Sequence, residues 1–283
     1  MNKMVTFPAI RILAAVALLS CGMNAVAAAK PNILVIMADD VGWASLGSYH
    51  QGVKSIETPN LDKLASQGVR LTDYYAQPSC TAGRAAFMTG QLPVRSGMHT
   101  VGLPGEKKGL HEDDPTLPGL LKRLGYTTGQ FGKNHLGDLN QVLPTNRGFD
   151  ECWGWLYHLN AMEYTVDPDW PSDRAFNAKY GPRNIIHSYA TDTDKGLVDE
   201  RWGPLGKQRI TDDGPAPPER QRAGRRSDRP HAGFHEPCGQ KGKTLLYLDG
   251  ADACSCVDLS ETGIRAATGQ WQGLAGRHHE RAG

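Results

Sequence analysis

The sequence predicts an α/β fold built on a doubly wound, mostly parallel sheet. The continuous apolar run Asn32–Ala38 is typical of a central strand that is covered on both faces. Amphipathic helix patterns then alternate with short strand patterns as far as residue 137. Polar residues follow the ends of these strands, where open α/β sheets bind their ligands. We therefore expect one α/β domain, or the larger part of one, with a site at the carboxyl ends of its strands.

The composition sets broad limits on function. The chain has 283 residues, of which 22% are charged and 39% hydrophobic, and its formal net charge is +1. That size fits a single α/β domain. The near-neutral charge gives no reason to expect nucleic acid as a partner. The six cysteines lack a framework spacing, and the Cys254–Cys256 pair lacks the second pair that a zinc site would need.

Residues 1–29 are predicted to be a signal peptide. Basic residues precede the apolar run Ile12–Leu19, and Ala25–Ala27 forms an A-x-A cleavage signal. The run is too short for a permanent transmembrane helix. Leu18–Cys21 resembles a lipoprotein box with an atypical second residue, so a lipid anchor at Cys21 stays open. We expect an exported protein, periplasmic or secreted, with no stable membrane span.

Helix and strand signals follow one another between the first strand and residue 137. Thr58 is a suitable N-cap, Pro59 suits a first helical turn, and Gly68 suits a helix end. In chain order, the pattern predicts a helix from Pro59 to Gly68, a strand over Val69–Tyr75, a helix from Cys80, a helix over Leu117–Leu124 and a strand over Tyr126–Phe131.

Two carboxylates, Asp39 and Asp40, come directly after the first predicted strand. Paired carboxylates at a buried strand end are costly unless a cation compensates them. Their oxygens suit Ca²⁺ or Mg²⁺ better than a soft metal. A solvated acidic turn is the alternative, which the preceding buried strand disfavours.

Cys80 and Arg84 lie four residues apart at the start of a predicted helix, so they share one face. The free N–H groups of the first turn favour an anion nearby. A thiol, a guanidinium and a helix N-terminus together indicate a site for an oxyanion ester. A buried structural cysteine in an Ala-rich helix is the alternative, and spacing alone favours it. Lys133 and His135 follow the strand Tyr126–Phe131; alone, each would more often be an incidental loop residue.

Four segments together resemble the sulfatase family, over Pro31 to about Arg220. They are the strand end Ile36–Asp40, the helix start Thr58–Asp62, the signature Cys80–Arg84 and the loop Gly132–Gly137. Each segment alone is weak, but all four in this order and spacing are specific. The resemblance implies the alkaline-phosphatase-like α/β fold, with only its N-terminal part present. It also implies an arylsulfatase-like hydrolase that acts on a small sulfate monoester.

The resemblance further implies a modified nucleophile. Cys80 would be converted to formylglycine by a maturation enzyme, and one hydroxyl of its hydrate would attack sulfur. The second hydroxyl would later lose its proton, so that sulfate is expelled. Arg84 would stabilise the hydrate, Lys133 would bind sulfate, and His135 would assist the proton transfers.

The resemblance also implies a metal site. Asp39, Asp40 and the modified Cys80 would hold Ca²⁺, with Mg²⁺ as the less favoured ion. Ala82 stands where the commoner signature has Pro, which leaves the maturation system open, and Asn134 replaces a common Trp. Two other functions stay open: a phosphonate or phosphodiester hydrolase with the same nucleophile, and a non-catalytic fragment with an anion pocket.

Other histidines and aromatic residues are weaker candidates. The segment Cys152–His158 is aromatic enough to face a ring-bearing ester. His99, His111 and His158 could line a pocket, although surface roles are expected for most of them.

Residues 221–283 change in character. They contain few aliphatic residues and no clear periodicity, so we expect a poorly structured tail with none of the strand, histidine or Asp-Asn pair typical of the family. Read one base later, permitted codons for Phe234–Leu259 give FMNRAVKKGKPFFIWMAPTRVHVWTY, a helix, an apolar strand and a histidine. We hypothesise a frameshift near residue 220, with a divergent disordered tail as the alternative. The chain as written is then expected to be unstable or inactive.

Overall fold

The computed structural model describes residues 30–50, 57–212, 244–249, 256–260 and 263–267. The predicted signal peptide and lipoprotein box lie outside these ranges. All elements below belong to the unit formed by residues 32–283. Across the described ranges, no helix is both long and apolar enough to cross a membrane.

A six-stranded mixed sheet forms the centre of this unit. Its spatial order is β1-β8-β2-β3-β4-β7; β1, β8, β2 and β3 run parallel, whereas β4 and β7 are added antiparallel. Two antiparallel pairs, β5 with β6 and β9 with β10, lie outside this sheet. The predicted α/β class with a mostly parallel sheet is confirmed. The strands are β1 (Ile33–Met37), β2 (Thr127–Phe131), β3 (Glu151–Gly154), β4 (Ile186–Ala190), β5 (Val198–Asp199), β6 (Gly203–Pro204), β7 (Gln208–Asp212), β8 (Thr244–Asp249), β9 (Cys256–Ser260) and β10 (Gly263–Ala267).

Seven α-helices and four 3-10 helices are found in the described residues. The predicted helices at residues 59, 80 and 117 all form. Ser79 and Thr116 cap their helices through side-chain oxygens, whereas Thr58 caps none and instead bonds Gly47 N and Asp62 Oδ1. The helices are α1 (Gly47–His50), α2 (Pro59–Gln67), α3 (Cys80–Thr89), α4 (Pro93–Ser96), α5 (Leu117–Arg123), α6 (Leu159–Met162) and α7 (Arg174–Tyr180), with 3-10 turns at Trp43–Ser45, Asn140–Val142, Pro144–Arg147 and Tyr164–Val166.

The strand predicted over Val69–Tyr75 is wrong. These residues form bends and irregular backbone, and no described strand pairs with them. Val69 and Tyr75 are 87% and 83% exposed, so the alternating side chains have no core face to bury. Alternation without a partner strand does not make a sheet.

The expectation that no strand follows residue 220 is also wrong. β8 lies between β1 and β2, parallel to both, and its backbone at Leu246 faces Leu34 on one side and Gly129 on the other. The composition of the long tail concealed a short apolar run with polar neighbours. β8 covers the six residues that the alternative reading frame translates as PFFIWM. Both frames therefore encode a strand at this point, and the frameshift stays a hypothesis.

The main core cluster holds α3 against β1. It contains Ala85, Met88, Met98, Leu110, Leu136 and Phe149, and the half-buried β1 residues Ile33, Val35 and Met37 pack on it. Small residues on the buried face of α3, such as Ala82 and Ala85, allow close packing. The first residue of α3 is thereby fixed beside the carboxyl end of β1.

Candidate active site

The end of β1 and the start of α3 bring together the acidic pair and the cysteine. The Cys80 thiol donates to Asp39 Oδ1, with a sulfur–oxygen distance of 3.4 Å. One potential ligand atom each from Asp39, Asp40 and Cys80 lies within 4.8 Å of the other two. Asp40 has a left-handed backbone, with φ of 57°, which turns the chain sharply after the strand. Residues about forty positions apart in the sequence thus lie together, and we call the group of Asp39, Asp40 and Cys80 the acidic corner.

Arg84 links this corner to the loop after β2. Its side chain is only 3% exposed, and Nη1 donates to the carbonyl oxygen of Lys133 at 2.8 Å. Its Nη2 lies 3.6 Å from Asp39 Oδ2. The guanidinium therefore holds both the acidic corner and the backbone that carries Lys133.

The loop after β2 carries Lys133 and His135, and a close backbone approach sets its position. A Cβ on Gly154 would lie 1.8 Å from Gly132 O, so only glycine fits there. Gly132 N donates to Trp153 O at 2.9 Å, which extends the β2–β3 pairing into the loop. Lys133 is 3% exposed, and its ammonium donates to Asp39 Oδ2. Sequence alone gave the residues of this loop but not the glycine contact that positions them.

Asp39 is the negative centre of the cluster. Burial alone would raise the pKa of its carboxyl group, but the hydrogen bond and charge of Lys133, together with the charge of Arg84, lower that pKa overall. The carboxylate therefore stays ionised, with two buried cations around it.

His135 is a buried, neutral imidazole. It is 1% exposed, and its Nε2–H donates to Gly102 O at 2.9 Å, while Nδ1 has no hydrogen-bond partner among the described residues. Burial lowers the pKa of His135 to about 4; the Gly102 carbonyl partly offsets this, and the charges of Lys133 and Arg84 add to it. Its backbone is left-handed, with φ of 54°, as is found for strained residues at functional sites.

His158 lies beside His135, with ring centroids 5.9 Å apart. His99 and His111, in contrast, are exposed. Within the aromatic segment Cys152–His158, Cys152 is buried and Tyr157 donates to Asp138, so neither side chain is exposed to a substrate. Sequence reasoning gave His158 no particular weight, because its position against His135 depends on how β3 leads into α6.

Two of the three potential ligands at the acidic corner suit a hard cation, and the third does not. Asp39 and Asp40 supply carboxylate oxygens, whereas the Cys80 sulfur is a soft donor. That sulfur stands where the hydroxyl oxygens of a hydrated formylglycine would be, and such an oxygen would make all three donors hard. Ca²⁺ takes six to eight oxygens. Within the described part of the chain, no further His, Cys, Asp or Glu joins this group.

The fold and this corner define a class: α/β proteins that gather carboxylates, buried cations and a cysteine at the carboxyl end of a strand, where open α/β sheets bind their ligands. A family model for sulfatases matches residues 31–208. The chain belongs to the sulfatase family, and it is a hydrolase by lineage. Members of this family generally use formylglycine and a divalent metal ion.

Similar proteins agree with this assignment. N-acetylgalactosamine-6-sulfatase of Rattus norvegicus is 40% identical over 200 residues, which cover 63% of this chain and 37% of that protein. Arylsulfatase A of Bos taurus is 48% identical over 135 residues, covering 46% and 26% respectively. The crystal structure of the PsFucS1 sulfatase from Pseudoalteromonas sp. aligns with a TM-score of 0.58 at 27% identity, covering 87% of this chain and 48% of that one. The fold is therefore alkaline-phosphatase-like, and the chain spans well under half the length of these curated relatives.

Proposed function

We propose that this chain is the N-terminal catalytic region of an exported sulfuric ester hydrolase that uses formylglycine made from Cys80 and a bound Ca²⁺. One observation carries the proposal: Asp39, Cys80, Arg84 and Lys133 converge at the end of β1, joined by direct contacts. Arranging two buried cations beside a reactive position has a cost in desolvation. Stabilising an anionic ester and its transition state offsets that cost.

Lys133 and Arg84 bind and orient the sulfate group in this proposal. Both cations lie beside the Asp39 carboxylate in the free protein, and Lys133, which donates directly to Asp39, is the cation that can turn from Asp39 to a bound anion. Arg84 is held by the Lys133 carbonyl and keeps the loop in register with α3. Once Cys80 has been converted, the hydrated aldehyde supplies a nucleophile that is regenerated after each turnover.

His135 moves a proton at Nδ1. Its Nε2–H is engaged by Gly102 O, so the lone pair lies on Nδ1, which is buried and has no described partner. The low pKa keeps the ring neutral at neutral pH, so it can accept a proton from a hydroxyl at position 80. The bond to Gly102 fixes the tautomer that this role requires.

Asp39 and Asp40, with an oxygen at position 80, would hold the metal ion. Bound there, Ca²⁺ supplies positive charge that polarises the sulfate oxygens. Ca²⁺ is preferred to Mg²⁺ because its flexible coordination accepts clustered carboxylates more readily. Among the described residues these three donors fill only part of a Ca²⁺ coordination shell. We propose that the chain as written turns over little or no ester, and that restoring the frame after residue 220 supplies further ligands.

The experiment compares the chain as written with a frame-restored gene, each produced with a formylglycine-generating enzyme. We expect the frame-restored chain to hydrolyse 4-nitrophenyl sulfate in the presence of Ca²⁺, and Cys80→Ala to abolish this activity. Faster hydrolysis of bis(4-nitrophenyl) phosphate or of a 4-nitrophenyl phosphonate ester than of the sulfate would favour a phosphodiester or phosphonate hydrolase instead. Activity that persists in Cys80→Ala would contradict the proposed nucleophile. Rapid sulfate turnover by the unrestored chain would contradict the proposed loss of function.

A further inference from the structure

A small cavity lies behind the loop that follows β2. Its walls include Met88 of α3, Pro118 of α5, Gln130 of β2, and Asn134 and Leu136 of the loop, and all five side chains are buried. Its volume of about 10 Å³ is close to the least that one water molecule requires. Among its described lining residues, none belongs to the acidic corner. The cavity is therefore separate from the candidate active site, although the two share the loop.

Two amide side chains in the wall each leave one polar atom unpaired. Gln130 is 1% exposed and Asn134 is 4% exposed. Gln130 Nε2 donates to Asn134 Oδ1 at 3.2 Å, whereas Gln130 Oε1 and Asn134 Nδ2 have no hydrogen-bond partner among the described residues. Exchanging the nitrogen and oxygen of Asn134 would set two donors against each other, so this hydrogen bond fixes the assignment. One acceptor and one donor thus stay unsatisfied in the interior, where such groups are costly and rare.

Arg147 adds a third unsatisfied atom to the same wall. Its two Nη atoms donate to the backbone carbonyl groups at positions 111, 112 and 114, whereas its buried Nε has no partner in the described part of the chain. A buried water molecule makes about three hydrogen bonds to groups of this kind. One water can donate to Gln130 Oε1 and accept from the N–H groups of Asn134 Nδ2 and Arg147 Nε. The three atoms therefore match the donors and acceptors that one water offers.

The two amides also hold the loop that carries Lys133 and His135. Gln130 Nε2 lies 3.5 Å from Lys133 O, which accepts a second hydrogen bond from Arg84 Nη1 at 2.8 Å. Asn134 lies between Lys133 and His135 in the chain, so fixing its side chain fixes the backbone on both sides. The left-handed backbone of His135 persists only where the surrounding structure supports it. The amide pair supplies part of that support from the interior of the fold.

We propose that this cavity binds one ordered water molecule, which joins Gln130 Oε1 to Asn134 Nδ2, and that the two amides are positioning residues for Lys133 and His135. The water site stands on the cavity and the unsatisfied atoms alone. The positioning role rests on the proposed function, because it is measured through the binding of sulfate by Lys133. The competing explanation is a dry cavity, in which the amides serve only to fill space.

The water site is tested by nuclear magnetic resonance of the full 283-residue chain, with nitrogen-15 in its asparagine and glutamine side chains. We expect a cross-peak between water and the side-chain NH₂ protons of Asn134, with the sign of a long-lived bound water. Asn134→Leu identifies the signal, because it removes that NH₂ group. Gln130→Met removes the acceptor of the water and should weaken the cross-peak. Absence of the cross-peak in the wild type, or equal intensity in Gln130→Met, would overturn the water site.

The positioning role is tested by calorimetric titration with inorganic sulfate, at a temperature well below the unfolding midpoint of each variant. Asn134→Leu nearly conserves volume but removes the hydrogen bonds of the amide. We expect sulfate affinity to fall roughly fivefold in Asn134→Leu and in Gln130→Met, because both substitutions release the loop that carries Lys133. Asn160→Leu changes an exposed asparagine, so it is the matched control and should keep the wild-type affinity.

The outcomes distinguish this inference from the proposed function. Wild-type sulfate affinity in Asn134→Leu and Gln130→Met, with lowered unfolding midpoints, would overturn the positioning role and leave the anion pocket intact. Absence of saturable sulfate binding by the wild-type chain would overturn the proposed function and the positioning role together. The cross-peak between water and Asn134 would still decide the water site in that case.

Discussion

At the scale of single residues, Arg84 connects two parts of the site: the Asp39 carboxylate after β1 and the backbone of the loop after β2. Its guanidinium faces the Asp39 carboxylate and bonds the Lys133 carbonyl while being almost fully buried. Removing one member of a buried charge cluster leaves the others without compensation. The cluster that we propose to bind sulfate therefore also stabilises the fold.

Replacing Arg84 with Met should lower the free energy of unfolding by about 3 kcal/mol, since it leaves the half-buried Asp39 carboxylate with one cation fewer and the buried Lys133 carbonyl without its donor. Urea unfolding of the variant and the wild type measures the difference. Arg95→Met is the matched control, because Arg95 is exposed on α4. A difference below about 0.5 kcal/mol for Arg84→Met would contradict this role.

The lowered pKa of the buried His135 makes the free energy of unfolding depend on pH in the acid range. Its pKa falls from 6.5 in the unfolded chain to about 4 in the folded one, so the unfolded state binds the proton first. The contribution is complete above pH 6.5 and is lost as the pH falls toward 4, by about 3 kcal/mol in total. Urea unfolding at several pH values measures the free energy of unfolding. Between pH 6.5 and 4 this free energy should fall less steeply with decreasing pH in His135→Gln than in the wild type. His99→Gln, which changes an exposed histidine, is the control and should keep the wild-type pH dependence. If His135→Gln also kept the wild-type pH dependence, a buried neutral imidazole at position 135 would be contradicted.

At the scale of elements, α3 depends on its N-cap. Ser79 Oγ accepts from Ala82 N at 3.3 Å and so fixes where the helix, and Cys80 with it, begins. Ser79→Ala should cost about 1 kcal/mol of stability, measured by urea unfolding. Ser172→Ala changes an exposed serine and should have no effect. An unchanged stability in Ser79→Ala would show that packing on β1 alone sets the start of α3.

The loop after β2 depends on the contact between Gly132 and Gly154. Gly154→Ala would place a methyl group 1.8 Å from the Gly132 carbonyl oxygen, so β3 and the loop after β2 would have to move apart. We expect this to destabilise the protein by about 3 kcal/mol or more. Gly83→Ala is the matched control, because its Cβ meets only ordinary contacts and alanine suits a helix better. If the thermal unfolding midpoint of Gly154→Ala were equal to or higher than that of Gly83→Ala, the close approach of Gly154 to Gly132 would be contradicted.

These elements also show how far sequence reasoning reached. Capping residues and hydrophobic periodicity are local, so they predicted the helices that start at Pro59, Cys80 and Leu117. Pairing is not local: Val69–Tyr75 alternates like a strand but meets no partner, and β8 is a short apolar run whose place between β1 and β2 no local pattern specifies. The contact of His158 with His135 was missed for the same reason.

At the scale of the whole molecule, β8 joins two parts of the sheet. In the described sheet β1 pairs only with β8, and β8 also pairs with β2. A chain that ends at residue 212 should therefore unfold roughly 10 °C below one that ends at residue 250, since losing β8 leaves two strands with unpaired edges. Thermal unfolding of both truncated chains measures the difference. Equal midpoints would show that the tail adds nothing to the sheet.

The most direct measurement of the central claim is the chemical state of position 80 in protein made together with a formylglycine-generating enzyme. Trypsin releases residues 71–84 with Cys80 as their single cysteine, and residues 148–174 carry the buried Cys152 as an internal control. Mass spectrometry should find an aldehyde in place of the thiol in the first peptide and an unmodified thiol in the second. An intact thiol at Cys80, in a host whose maturation enzyme converts a known sulfatase, would contradict the account.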